Sequence, residues 1–88
     1  MTINALRIHP DDDVACLLRD LDAGTQIVTA QGMGPTLTAA IRMGHKVALN
    51  SVPAGAPVRK YGQPIGTATE VIAPGDHVHS HNLKGATR

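Results

Sequence analysis

Apolar positions change their rhythm along the chain. Residues 2–8 alternate imperfectly, with Ile3, Leu6 and Ile8 apolar, and this predicts a short strand closed by His9-Pro10. Val14, Leu17, Leu18 and Leu21 then follow the i, i+3, i+4, i+7 spacing of one helix face, which predicts an N-terminal helix of two or three turns. Asp11-Asp12-Asp13 stand where an N-cap and a favourable dipole interaction place acids, and Asp22-Ala23-Gly24 would end the helix.

The remainder is cut into short pieces by Gly and Pro. Strands are predicted at 26–30, 36–42, 46–52, 57–61, 65–72 and 77–83, with a Gly-rich loop at 31–35. Three segments share the form apolar-x-x-Gly-x-x-apolar: Leu21 to Ile27, Val52 to Val58, and Ile72 to Val78. Their spacing is irregular, 31 then 20 residues, so they read as one corner geometry used three times rather than a solenoid. The predicted fold class is mostly β, compact and turn-rich, with one short N-terminal α-helix.

Composition narrows the picture. With 88 residues there is room for a single domain, 1–88, with a modest core. Tyr61 is the one aromatic residue, so the core must be aliphatic. Eight basic and seven acidic residues leave a net charge of +1 with no basic stripe, which argues against nucleic-acid binding. The lone Cys16 permits no intrachain disulfide and suits a buried small side chain. No signal peptide or membrane-length apolar run is visible, so a cytoplasmic protein with no membrane contact is expected.

The chemistry-bearing residues cluster late. If 77–83 is a strand, His77, His79 and His81 share a face, about 6.6 Å between neighbours. Three such rings span about 13 Å, too far for one ion, so His79 and His81 are the better metal pair. A positioned imidazole is also a general acid or base, and a solvated or partner-facing strand face is the plainer alternative. His45 could join these histidines and Lys46 could bind a carboxylate. Lys60 could contact an anionic substrate and Tyr61 could donate a hydrogen bond. Locally, ordinary surface roles explain these four as well. Capping explains the three aspartates more simply than a cation site does.

Taken together, His9-Pro10-Asp-Asp-Asp-Val14-Ala15, Gly44-His45-Lys46-Val47-Ala48-Leu49, Val58-Arg59-Lys60-Tyr61-Gly62, Ile65-Gly66-Thr-Ala68-Thr69 and Val78-His79-Ser80-His81-Asn82-Leu83 resemble the SAF domain of the altronate/galactarate dehydratase family. The resemblance covers nearly the whole chain and is most specific from His45 to Leu83. It implies a β-clip fold. It implies a lyase role in a carbohydrate-acid dehydratase that makes 2-keto-3-deoxy acids, where this domain is either the N-terminal part of a long chain or a separate small subunit, the latter being expected here. A sister branch, the sulfolactate sulfo-lyase small subunit, eliminates sulfite instead of water. Of the histidines, the resemblance singles out His79 and His81. It implies a divalent metal, Fe2+ foremost, shared with a large dehydratase subunit.

Too small for a full substrate pocket, the chain is expected to lend His79, His81 and Lys60 to catalysis at the edge of a partner's site, with His45, Lys46 and Tyr61 binding substrate. A homo-oligomer is compatible with this reading, as is a non-catalytic binding module.

Overall fold

Strands of both halves interleave in one four-stranded antiparallel sheet. The computed structural model describes residues 2–85. In chain order the strands are β1 (Ala5–Leu6), β2 (Val14–Leu17), β3 (Gln26–Thr29), β4 (Gly32–Thr36), β5 (Lys46–Ala48), β6 (Pro57–Lys60), β7 (Gln63–Ala68), β8 (His77–Val78) and β9 (Leu83–Gly85). The central sheet runs β1-β2-β5-β8, a hairpin joins β3 and β4, and a smaller sheet runs β6-β7-β9. Isolated bridges join Leu21 to Ile41 and Val52 to Ile72.

The expected mainly-β class holds, but the N-terminal helix is not present. Residues Val14–Leu17 form β2, which pairs with both β1 and β5. The reason is that β2 is covered on both faces. Val14 packs into one core, and Ala15 and Leu17 pack into the other. A strand buried on both sides loses its period-two signature, and its run of apolar residues imitates a helix face. The aspartates therefore cap nothing helical. Asp12 is fully buried and accepts backbone N–H bonds from His9, Tyr61 and Gly62 at 2.7–3.1 Å. Asp13 accepts from the Arg59 N–H at 2.9 Å.

Two other expectations shift. The loop predicted at 31–35 is mostly β4, while residues 37–42, predicted as strand, form no strand and are held by the Leu21–Ile41 bridge and by bonds of Leu37 and Thr38 to the corners at Gly24 and Gly75. The strand predicted at 77–83 stops at Val78, turns over the next four residues and resumes at Leu83.

The corner motif occurs four times rather than three. Ile41-Arg42-Met43-Gly44-His45-Lys46-Val47 is the copy that the spacing concealed. In each copy the glycine has φ between 83° and 92°, the left-handed value wanted at the third position of a type II turn. The residue after it donates an N–H three residues back, from Thr25 to Asp22, His45 to Arg42, Ala56 to Pro53 and Asp76 to Ala73.

These corners belong to a repeat of 31 residues, Leu21 recurring as Val52 and Ile41 as Ile72. Backbone bonds recur at the same offset. Leu21 N–H bonds Ile41 C=O as Val52 bonds Ile72, Leu17 bonds His45 as Ala48 bonds Asp76, and Gly24 bonds Leu37 as Gly55 bonds Ala68. The cores recur too. One contains Leu17, Ile27, Leu37, Ile41 and Val47, and the other contains Ala48, Val58, Ala68, Ile72 and Val78.

Candidate functional site

The site gathers where β5 begins and β8 ends. Both strands leave a corner and pair antiparallel, with Val47 opposite His77 and Lys46 opposite Val78. Continued by one step, that register sets His45 opposite His79. The diagonal pair His45 and His77 then lies within side-chain reach. Their rings meet directly, with His45 Nδ1 and His77 Nε2 2.9 Å apart. The His77 and His79 rings stack at 5.4 Å between centroids, and His79 lies 5.3 Å from His45. One nitrogen from each of His45, His77 and His79 falls within 4.8 Å of the other two.

His81, within the turn, rests its ring 5.6 Å from that of His77 and is not in this group of three. His45 and His77 are partly buried, while His79 faces solvent.

A buried asparagine holds the histidine turn. Asn82 accepts the His79 N–H through Oδ1 at 3.0 Å and donates from Nδ2 to the His77 carbonyl at 2.9 Å. Its own N–H returns to the His79 carbonyl at 3.0 Å. Residues 77–82 are thus closed into a loop around one side chain, as Asx-type turns are.

The lysines occupy the adjoining surface. Lys46 follows His45 and lines, with Lys60, Tyr61, Gln63, Ile65 and Leu83, a cleft of about 440 Å³. Lys60 Nζ donates to the Tyr61 hydroxyl at 3.1 Å and lies 4.5 Å from the centre of the Tyr61 ring. Tyr61 reaches this place through a left-handed backbone, φ 57°, in the β6–β7 hairpin turn. A type I′ turn needs positive φ at both central residues, here Tyr61 and Gly62. The Asp12 carboxylate receives both of their N–H groups and fixes the turn.

These surroundings push two groups apart in proton affinity. Burial lowers the pKa of His77, and the neighbouring His45, His79, His81 and Lys46 lower it further, so it is neutral at pH 7. Burial also works against the charge on Lys60. The hydrogen bond to Tyr61 and the adjoining Cys16 thiol outweigh it and raise the pKa. The site thus offers a neutral imidazole able to take a proton, and an ammonium held charged in the cleft that Lys46 shares.

Among the residues expected from the sequence, His45 and His79 come together at one end of β5, and Lys46, Lys60 and Tyr61 surround the cleft beside it. His81 flanks the group through His77. Three further residues shape the site: His77, Asn82 and Asp12. The fourth corner copy was a usable signal for His77, because two corners feeding antiparallel neighbours place His45 diagonally to it. Nothing local in the sequence marks Asp12, whose partners lie about 50 residues away.

The model of the altronate/galactarate dehydratase SAF domain matches residues 3–86. Altronate dehydratase of Escherichia coli is 46% identical over 79 residues, covering 90% of this chain and 16% of that protein. Altronate dehydratase of Bacillus subtilis is 39% identical over the same length, with the same coverage. The (2R)-sulfolactate sulfo-lyase subunit alpha of Paracoccus pantotrophus is 43% identical over 60 residues, covering 66% of this chain and 90% of that subunit. The chain spans only a small part of the altronate dehydratases and most of the sulfo-lyase subunit. It belongs to the SAF domain family of the altronate and galactarate dehydratases.

Proposed function

We propose that this chain serves a sugar-acid hydro-lyase, supplying one wall of a site that a larger catalytic chain completes. Removing water β to a carboxylate needs a base for the proton beside that carboxylate, a cation for the developing enolate charge and an acid for the departing hydroxide. The observation that carries the reading is the cluster of His45, His77 and His79, with His77 held neutral, whose neighbour Lys46 also lines the cleft that holds Lys60 and Tyr61. In this reading Lys46, Lys60 and Tyr61 hold a substrate carboxylate. The imidazoles, His79 and His81 foremost because they are open to solvent, handle protons at the adjoining carbon and oxygen. The altronate dehydratases devote most of their length to regions this chain does not match, and in this reading the larger catalytic chain corresponds to those regions.

A second reading rests on size. Two sulfo-lyase alpha subunits match over 90% and 89% of their own lengths. Loss of sulfite from sulfolactate uses the same base and carboxylate anchor with a different leaving group.

The test is reconstitution with the large catalytic chain. Altronate and galactarate are followed by release of 2-keto-3-deoxy acid, and sulfolactate by release of sulfite. Dehydration that requires this chain, falls in kcat with His79→Ala and rises in KM with Lys60→Met supports the hydro-lyase. Sulfite release alone selects the second reading. Full turnover in both variants within an intact complex would leave only a non-catalytic assembly role.

A further inference from the structure

We propose that His45, His77 and His79 bind one divalent transition-metal ion, a site that stands whether or not the chain acts on a sugar acid. Imidazole ligands bound about 2.1 Å from one ion sit roughly 3 Å from each other. His45 Nδ1 and His77 Nε2 are already 2.9 Å apart, and a nitrogen of His79 completes the group within 4.8 Å. Rotation of the solvent-facing His79 ring closes the remaining gap.

The backbones are fixed before any ion arrives. Asn82 ties His77 to His79, while the His45 N–H bonds Arg42 and the His45 carbonyl receives the Leu17 N–H. The metal-free pair His45–His77 shares one N–H···N bond. Binding moves that proton to the other nitrogen of its own ring and frees both facing lone pairs, with no net charge change.

The donor set selects the ion. Three neutral imidazoles without a carboxylate suit Zn2+, Fe2+ or Co2+ and not Ca2+ or Mg2+. Exposure of His79 leaves coordination positions for water or a substrate oxygen. The expected sequence pair, His79 and His81, shares one ligand with this trio. The other two are His45, the residue before β5, and His77, the first residue of β8.

The experiment titrates chelator-treated full chain with Co2+, read by its visible absorption, and with Zn2+, read by calorimetry, with Mg2+ alongside. One Co2+ or Zn2+ per chain is expected and no Mg2+. His77→Ala and His79→Gln should each weaken binding at least tenfold, and Asn82→Ala roughly 10- to 100-fold as a group that orients ligands. His81→Ala and His9→Ala should leave it unchanged. Amide NMR spectra establish that each variant is folded, and the exposed His79→Gln keeps the test informative if His77→Ala is not. Absence of Co2+ binding at millimolar ion, or binding as sensitive to His81→Ala as to His79→Gln, would overturn the site.

Discussion

Tyr61 holds a backbone conformation that costs a side-chain-bearing residue about 1–2 kcal/mol. Tyr61→Gly should therefore stabilise the fold by roughly 0.5–1 kcal/mol in urea denaturation while removing the ring and hydroxyl from the cleft. A variant more stable yet weaker in carboxylate binding would separate the two roles of this position. Asp12 is the counterweight. Asp12→Ala leaves buried N–H groups of His9, Tyr61 and Gly62 without an acceptor and should cost about 3–5 kcal/mol, with Asp12→Asn losing less. His77 links stability to pH. Its folded pKa lies below its unfolded one, so the unfolded chain binds the proton more readily. In metal-free protein, stability should be full above about pH 6.5 and decline as the pH falls through the folded value. His77→Gln should flatten that decline in pH-dependent thermal melts.

At the level of elements, much was legible and one error is instructive. Strands near 26–30, 57–61 and the start of 46–52 were readable because Gly and Pro punctuate them. The stretch from Val14 to Leu18 was not, because β2 lies between two cores and needs apolar residues on both faces. A single window cannot distinguish that from a helix stripe. The histidine segment was misread in a different way. Alternating His and non-His residues imitate a strand, but Asn82 offers its side chain to the backbone and closes a turn after Val78. The corners themselves are separable by their surroundings. At Gly44 an added methyl meets open space, and Gly44→Ala should cost only the backbone strain, about 1–2 kcal/mol. At Gly75 it would collide with the Thr36 carbonyl, and Gly75→Ala should cost about 3–5 kcal/mol. Parallel denaturation of the two variants measures the difference.

For the whole molecule, the recurrence at 31 residues explains why so few elements suffice. One corner-and-strand unit, used twice, builds two aliphatic cores with no large aromatic residue. The functional residues do not follow the repeat. Lys46 recurs as His77 and Tyr61 answers Ala30, so the two copies of the shared scaffold lend different residues to the site. Leu17→Ala in one core and Ile72→Ala in the other should each cost about 2–5 kcal/mol. Both should lower the same cooperative transition, with probes in either half melting together. The sheet order is the reason, because β5 presents Val47 to one core and Ala48 to the other. Neither half can therefore mature on its own. Distant segments must meet before anything is gained, so refolding should be slow for so short a chain and follow a single exponential with no populated half-folded species.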